Sequence, residues 1–317
     1  MSFAFVFPGQ GSQSVGMLSA LASASQAVRA TFEEASGVLG FNLWKLVSEG
    51  PEDALNATER TQPAMLAAGV ATWRAWRAEG GAPPAVVAGH SLGEFTALVC
   101  AQSLDFQAAV ELVRFRGQAM QEAVPAGTGA MAAILGLDDE AIEAACREAA
   151  QGGVVEPANF NSPGQVVIAG ERAAVERAME AAKARGAKRA VVLPVSVPSH
   201  TSLMRGAGER LAERLGALEV RTPHIPYVSA VDAAAHSEPD DIRAILVRQI
   251  SSPVRWPQTL RAVSAGATAQ VIECGPGRVL TGLNRRIEKR ADLSFLALED
   301  PASIASALTQ TQGDVHA

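Results

Sequence analysis

The chain has 317 residues, 48% of them hydrophobic, and a formal net charge of −6 at pH 7. This length and composition exclude an intrinsically disordered chain and predict one large domain that carries a second, smaller one. The negative charge argues against general nucleic-acid binding, and no apolar run approaches the roughly 18 residues that a membrane helix needs.

The N-terminus and the cysteines indicate the compartment. The apolar run from Phe3 to Phe7 is too short for a signal peptide, and no basic region precedes it. Cys100, Cys146 and Cys274 match neither a disulfide framework nor the ligand spacing of a zinc site. We therefore expect a cytoplasmic protein without a metal site.

The first predicted element is a strand, Phe3 to Phe7, which leads directly into the loop Pro8-Gly9-Gln10-Gly11-Ser12-Gln13. This loop is not a dinucleotide-binding fingerprint, because Ser14 stands where G-x-G-x-x-G requires its third glycine. Its glycines indicate instead a close approach to another part of the chain. Helices are predicted from Ser19 to Arg77, and one of them should start at Thr61-Gln62-Pro63, since proline is favoured in the first turn.

The next predicted strand leads into a serine motif. Ala85 to Ala88 precede Gly89-His90-Ser91-Leu92-Gly93-Glu94, and a helix-compatible run from Phe95 to Ala101 follows. Strand, turn with G-x-S-x-G and helix form the nucleophile-elbow pattern, in which the serine hydroxyl projects from the sheet and the helix N-terminus faces any oxyanion. Ser91 is therefore the candidate nucleophile. The alternative is a chance match in a chain with 28 glycines.

A second helix after the motif carries an arginine on its apolar side. Asp105 is predicted to cap this helix, which should run to about Ala123. Arg116 falls inside its apolar arc, and burial of an unpaired guanidinium is so costly that we expect an anionic partner. An acidic side chain of the protein and a carboxylate of the substrate are the two alternatives.

Residues 127–197 show a different order of elements: strand, helix, strand, strand, helix, strand. This β-α-β-β-α-β order is the ferredoxin-like arrangement. It predicts a small subdomain, residues 127–197, inserted into a larger α/β subdomain with a mainly parallel sheet, residues 1–126 and 198–308. Residues 309–317 are expected to form a disordered tail.

His200 is the best candidate for a base that serves Ser91. It lies in Pro198-Ser199-His200, at a predicted strand-to-helix junction after a strand from Ala190 to Val195. His90 is next to Ser91, but adjacent residues in extended backbone point in opposite directions. A capping or buried structural role is the alternative for His200. The remaining histidines lie between prolines, in a polar loop and in the tail, and are His224, His236 and His316.

Two clusters of basic residues stand out, and each alone fits an ordinary solvated surface. They comprise Lys183, Arg185, Lys188 and Arg189 in the insert, and Arg285, Arg286, Lys289 and Arg290 on a late helix.

The motifs, taken in this order, resemble those of the malonyl-CoA:acyl carrier protein transacylase family over nearly the whole chain. No single motif is decisive, but the whole set in this order is highly specific. The motifs are Phe7-Pro8-Gly9-Gln10-Gly11-Ser12-Gln13, Gly89-His90-Ser91-Leu92-Gly93-Glu94, Arg116-Gly117 with Met120-Gln121, Asn161-Ser162-Pro163-Gly164-Gln165, Pro198-Ser199-His200, Gln249 with Pro253-Val254-Arg255-Trp256, and Glu273-Cys274-Gly275-Pro276-Gly277.

This resemblance implies an α/β-hydrolase-like core and assigns roles to the site residues. The serine that attacks the malonyl thioester corresponds to Ser91, and the general base corresponds to His200. The other implied residues are Gln10 and Leu92 as backbone N–H donors to the oxyanion, Arg116 and Gln10 as substrate-binding residues, and Gln249 as the residue whose main-chain carbonyl orients the histidine.

The implied reaction is ping-pong transfer of a malonyl group from malonyl-CoA to the phosphopantetheine thiol of acyl carrier protein, in fatty-acid biosynthesis. The resemblance implies no metal or organic cofactor, and we expect a monomer. It also implies a small acidic carrier protein, so we expect one of the two basic clusters to dock it. A trans-acting acyltransferase of polyketide synthesis shares this chemistry and stays an alternative. A serine thioesterase or hydrolase is a weaker one, because it more typically has an Asp or Glu between nucleophile and histidine. A non-catalytic acyl-binding module would tolerate loss of Ser91 or His200, and both are present.

Overall fold

The structure is a computed structural model that describes residues 2–125, 127–195 and 197–312. No helix within these ranges is long and apolar enough to cross a membrane. The strands in chain order are β1 (Ser2–Phe7), β2 (Val86–Gly89), β3 (Gly129–Leu135), β4 (Val155–Ser162), β5 (Gln165–Glu171), β6 (Arg189–Val192), β7 (Tyr227–Val228), β8 (Ala235–His236), β9 (Val254–Arg255), β10 (Thr268–Cys274) and β11 (Ser294–Leu298).

Helices cover both sheets. In chain order they are α1 (Ser19–Ala24), α2 (Gln26–Leu39), α3 (Leu43–Glu49), α4 (Glu52–Asn56), α5 (Thr58–Ala78), α6 (Gly93–Cys100), α7 (Phe106–Glu122), α8 (Asp139–Ala150), α9 (Arg172–Ala184), α10 (Arg205–Gly216), α11 (Pro239–Gln249), α12 (Trp256–Val263), α13 (Val279–Ile287) and α14 (Pro301–Gln312).

The larger sheet is mainly parallel, as the alternation of strands and helices predicts. Its order is β11-β10-β1-β2-β7-β8, and every neighbouring pair is parallel except β7 with β8. The central strand β1 is buried from Phe3 to Phe7, because helices cover both faces of the sheet. The carboxyl ends of β1 and β2 lie side by side, so the two loops that follow them meet.

The smaller sheet has the ferredoxin-like order β6-β3-β5-β4, with antiparallel neighbours. Helices α8 and α9 pack on it through a separate apolar core. A fifth strand, β9, comes from the later segment of the chain and pairs in parallel with β4. The smaller sheet therefore includes a strand from outside residues 127–197, and the bounds of the two subdomains stay a prediction.

The C-terminal segment differs from the predicted tail. Thr309 to Gln312 are not disordered, because they form the last turn of α14. Ile304 and Ala307, on one side of this helix, are buried in the main core, and that burial stabilises the helix. Residues 313–317 lie outside the described residues.

Helix α5 also differs from the prediction, since it begins at Thr58 rather than at Thr61. The N–H of Thr61 already donates to Ala57 O at 2.8 Å, so the helical bonding is established one turn before Pro63. Pro63 therefore lies inside the helix, past its first turn, where it has no N–H to donate to Glu59 O.

Candidate active site

Ser91 lies on a sharp turn between β2 and α6. Its φ is +51°, a left-handed conformation that costs a non-glycine residue about 1–3 kcal/mol. Gly89 permits this turn, because a Cβ there would lie 1.9 Å from the carbonyl carbon of Gly93. The nucleophile elbow predicted from the sequence is therefore present as a strand, a strained turn and a helix.

The glycine-rich loop after β1 packs against this elbow, as its composition indicates. A Cβ on Gly93 would lie 2.1 Å from Phe7 O, and a Cβ on Gly9 would lie 2.4 Å from His90 O. The backbone N–H groups of Gln10 and Leu92 make no hydrogen bond within the described part of the chain. Both groups are therefore free to donate to an oxyanion, and their role as its donors stays a prediction.

His200 contacts Ser91 directly: its Nε2 lies 2.7 Å from Ser91 Oγ. Its Nδ1 lies 2.9 Å from Gln249 O and 3.1 Å from Ser252 O. Since carbonyl oxygens only accept, Nδ1 carries the proton and Nε2 accepts from the serine hydroxyl. The structure thus brings the predicted carbonyl of Gln249 to His200 and adds the carbonyl of Ser252.

The position of His200 in the chain differs from the prediction. Strand β6 ends at Val192, not Val195, and His200 occupies a turn with φ +63° just before a 3-10 helix, Ser202–Met204. Burial, together with the positive charge of Arg116, lowers the pKa of His200 to about 3. The imidazole is therefore neutral at neutral pH, the form that accepts a proton.

His90 does not take part in this contact. Its Nε2 lies 2.9 Å from Asn161 Oδ1 on β4, and its ring packs against Trp256 with 5.6 Å between the centroids. No hydrogen bond joins His90 to the Ser91 hydroxyl among the described residues. This arrangement agrees with His200, rather than His90, as the candidate base.

Arg116 lies on α7, which begins after Asp105 as predicted, and it is only 1% exposed. Nη1 donates to Gln62 Oε1 at 2.8 Å, and Nη2 donates to Gln249 Oε1 at 3.0 Å and to Ser91 Oγ at 3.3 Å. These acceptors are all neutral, and no salt bridge to Arg116 occurs within residues 2–125, 127–195 and 197–312. The internal ion pair that the sequence left open is therefore not found there.

Two contacts of this guanidinium were not predicted: the one to Gln62, and the one to the side chain of Gln249, of which the resemblance assigned only the carbonyl. Gln62 lies on α5 and Gln249 on α11, so helices far apart in sequence converge on Arg116. Arg116 Nε is buried without a partner in the described structure, and burial lowers the pKa of the guanidinium to about 10. Nothing in the sequence around Gln62 indicated this role, because the hydrogen-bond partner of a glutamine side chain depends on which residue the fold brings to it.

The cysteines and acids form no second site in the parts of the chain that are described. Cys100, Cys146 and Cys274 are free and buried, and burial raises the pKa of each thiol. No group of three or more His, Cys, Asp or Glu side chains there is placed to hold a metal ion.

Known proteins share this sequence and fold. A family model described as acyl transferase domain matches residues 4–299. The chain is 55% identical to a malonyl CoA-acyl carrier protein transacylase of Escherichia coli K12, over 96% of this chain and 98% of the relative. It is 57% identical to an acyl carrier protein S-malonyltransferase from Vibrio cholerae, with a TM-score of 0.93 over 97% of this chain and all of the other. It is also similar to a malonyl-transacylase in complex with its type II PKS acyl carrier protein, with 55% identity and a TM-score of 0.96 over 98% of this chain and all of the other.

Proposed function

The chain belongs to the acyl transferase domain family, as one of its malonyl-CoA:acyl carrier protein transacylases, and on that premise we propose a reaction with a covalent intermediate. The enzyme transfers a malonyl group from malonyl-CoA to the phosphopantetheine thiol of an acyl carrier protein through malonyl-Ser91. One observation carries this proposal: Ser91 Oγ lies 2.7 Å from His200 Nε2 and 3.3 Å from Arg116 Nη2. The hydroxyl oxygen of the nucleophile therefore lies within hydrogen-bond distance of both the base and the cation that would bind a carboxylate.

In the first half-reaction, Ser91 Oγ attacks the thioester carbonyl of malonyl-CoA and its proton moves to His200 Nε2. The N–H groups of Gln10 and Leu92 stabilise the tetrahedral oxyanion. The carbon–sulfur bond then breaks, and the CoA sulfur leaves with the proton from His200. The product is a malonyl ester on Ser91.

In the second half-reaction, the carrier's thiol gives its proton to His200 Nε2 and attacks the ester. The bond to Ser91 Oγ breaks, and the serine oxygen takes the proton back. Arg116 binds the malonyl carboxylate with parallel N–H groups, which holds the acyl group in place through both steps.

The contacts of His200 weigh against the hydrolase alternative. In many serine hydrolases a carboxylate orients the histidine. Here Nδ1 faces the carbonyl oxygens of Gln249 and Ser252. A polyketide pathway stays the alternative to fatty-acid biosynthesis, because one similar structure is a malonyl-transacylase with its type II PKS carrier. We further propose that the enzyme acts in the cytoplasm as a monomer.

Intact mass spectrometry tests the proposed function. After mixing with malonyl-CoA and no carrier, the protein should gain the mass of one malonyl group and release CoA. Addition of a phosphopantetheinylated carrier should remove that mass and create malonyl-carrier. Release of free malonic acid at the rate of CoA formation would instead identify a hydrolase.

Replacement of His200 should slow both half-reactions. We expect His200→Ala to reduce the acylation rate by roughly 10²- to 10⁴-fold, the usual effect of losing a general base. With a pKa of about 3 instead of the ordinary 6.5, His200 stays neutral as the pH falls. Wild-type kcat/KM should therefore show no acid limb near pH 6.5, which stopped-flow measurement of CoA release can check. A larger loss in His90→Ala than in His200→Ala would contradict the assignment.

The structure brings residues of the two basic clusters together at one end of the strands of the small sheet. Arg189, Leu135 and Gln165 are aligned across β6, β3 and β5. Gln165 Oε1 accepts from Arg286 Nη1 at 2.7 Å, so the late helix meets the insert here. We call the exposed residues Lys188, Arg189 and Arg286 the basic rim.

The basic rim lies close to the elbow. Gln165 pairs with Ser162 at the end of β4, and the neighbouring Asn161 contacts His90 beside Ser91. Lys183 and Arg185, in contrast, form ion pairs with Glu180 and Glu148. The rim is therefore the better candidate for docking an acidic carrier.

Charge reversal at the rim should weaken use of the carrier. We expect Lys188→Glu with Arg286→Glu to raise the KM for the carrier about 10-fold at low salt, and less at high salt because ions screen the attraction. Acylation by malonyl-CoA should stay unchanged. Lys183→Glu is the matched control and should have little effect. Equal damage from the control and the rim variant would place carrier docking elsewhere.

A further inference from the structure

A buried carboxylate lies behind the site without touching the reacting atoms. Glu94 is in the first turn of α6 and has no exposed surface. It accepts hydrogen bonds from the hydroxyl of Tyr227 and, at 2.9 Å, from Nε2 of Gln249. Within the described residues it makes no hydrogen bond to the side chains of Ser91, His200 or Arg116. Glu94 therefore contacts the site only through a hydrogen-bonded residue between them, while its charge raises the pKa of Arg116 without contact.

That residue is Gln249, whose side-chain amide lies between Glu94 and the guanidinium. Nε2 donates to Glu94 Oε1 and, at 2.9 Å, to Ser91 O, while Oε1 accepts from Arg116 Nη2 at 3.0 Å. A carboxylate and a carbonyl only accept, and a guanidinium only donates. Only one orientation of the amide satisfies all three neighbours, and it presents the amide oxygen to Arg116.

We propose that Glu94 is a positioning residue that holds the Gln249 amide and thereby fixes Arg116 in the orientation that selects malonyl over acetyl groups. This inference rests on the proposed function, because it requires that Arg116 bind the malonyl carboxylate. Without an acceptor at position 94, one N–H of the buried amide has no hydrogen-bond partner. The free-energy cost of that unsatisfied donor favours rotation or withdrawal of the amide. The guanidinium then loses the anchor on Nη2.

The effect should be selective for malonyl groups. His200 is held by the main-chain carbonyls of Gln249 and Ser252, which the side-chain amide does not supply. Loss of the Glu94 contact therefore leaves the base in place, and Ser91 stays on the elbow, where Gly89 and Gly93 lie too close together for a Cβ. A purely structural role would reduce malonyl and acetyl transfer together, through the fraction of folded enzyme.

The test compares kcat/KM for malonyl-CoA and acetyl-CoA, with the concentration of active enzyme determined by titration of Ser91. Glu94→Leu keeps a similar volume but removes the acceptor, and we expect the malonyl-to-acetyl ratio to fall by about 10- to 100-fold. Glu94→Gln should restore the ratio to within about threefold, since its amide oxygen accepts from Gln249 and its NH₂ donates to Tyr227. An unchanged ratio in Glu94→Leu, or a Glu94→Gln variant as unselective as Glu94→Leu, overturns the proposal.

Glu273 offers a matched control. It is equally buried and accepts hydrogen bonds from the backbone of Leu280 and Thr281, away from Gln249. Glu273→Leu should reduce the folded fraction without changing the malonyl-to-acetyl ratio. If Glu94→Leu does not fold, Glu94→Asp withdraws the acceptor by one methylene and should still lower the ratio about threefold or more. A ratio equal to that of the wild type in Glu94→Asp then overturns the proposal.

Arg116→Ala in the same assay separates the two proposals. If Arg116→Ala leaves the ratio unchanged, carboxylate recognition by Arg116 fails, and the role of Glu94 fails with it. If Arg116→Ala abolishes the preference and folded Glu94→Leu keeps it, only the role of Glu94 fails. In the Arg116→Ala background, Glu94→Leu should change the ratio no further, because both substitutions act on one interaction.

Discussion

Arg116→Ala should invert the acyl preference of this enzyme. The guanidinium is 1% exposed and hydrogen-bonded to neutral oxygens only, so the malonyl carboxylate is the anion that pairs with it in the proposed reaction. Loss of one member of a buried charged pair costs about 3–5 kcal/mol. We therefore expect kcat/KM for malonyl-CoA to fall by roughly 10²- to 10⁴-fold.

Acetyl-CoA should respond in the opposite sense. An acetyl group has no carboxylate, so in the wild type it leaves the charge of Arg116 unpaired beside the acyl group. Arg116→Ala removes that unfavourable contact, and acetyl transfer should hold steady or rise. Steady-state measurement of kcat/KM for malonyl-CoA and acetyl-CoA gives the malonyl-to-acetyl ratio, which tests the inversion.

Arg114→Ala is the control for this substitution. Arg114 is on the same helix but points away from the site, where its Nη1 donates to Leu39 O at 3.1 Å. We expect its loss to have little effect on either substrate. If Arg116→Ala slows both substrates equally and the protein melts at a lower temperature, Arg116 has a structural role and the specificity role is wrong.

Ser91→Ala should abolish the malonyl adduct altogether. The serine hydroxyl is the one group within hydrogen-bond distance of both His200 Nε2 and Arg116 Nη2 in the described structure, at 2.7 and 3.3 Å. Alanine has no nucleophilic atom, so neither half-reaction can proceed through this residue. Mass spectrometry of wild-type peptides after incubation with malonyl-CoA should place the added group on Ser91.

The elbow makes this substitution easy to interpret. Ser91 is held at φ +51° by its neighbours rather than by its hydroxyl, so the alanine variant should fold and keep the site intact. Binding of malonyl-CoA without turnover, measured by calorimetry, confirms that the site is formed. A malonyl adduct of unchanged yield in Ser91→Ala would remove Ser91 as the nucleophile.

The local sequence was sufficient to predict the elements that place the nucleophile. Gly89 and the run that follows it predicted the elbow, because a strand, a glycine turn and a helix are specified by residues adjacent in the chain. Asp105 predicted the start of α7 for the same reason, and its side chain accepts from Ala108 N at 3.0 Å as a cap should. The periodicity of α7 also predicted the burial of Arg116.

Contacts between distant segments decided the rest of the site. Whether Arg116 met an acidic side chain or a substrate carboxylate was open, because a helical period gives the side on which a residue lies and not what it faces. The fold supplies Gln62 from α5 and Gln249 from α11. The same limit applies to Glu94, which belongs to the serine motif but contacts Tyr227 and Gln249, both more than 100 residues away in sequence.

Local sequence thus predicted the candidate nucleophile, the candidate base, the apolar setting of Arg116 and the ferredoxin-like order of elements in residues 127–197, since each was inferred from residues close together in the chain. Contacts in the folded chain supplied the second carbonyl at His200, from Ser252, the neutral partners of Arg116, the addition of β9 to the small sheet and the joining of two basic clusters into one rim. Each of these features depends on a contact between residues that are far apart in the sequence. Local propensity carries no information about such pairs, because the free energy that selects them comes from packing the whole chain.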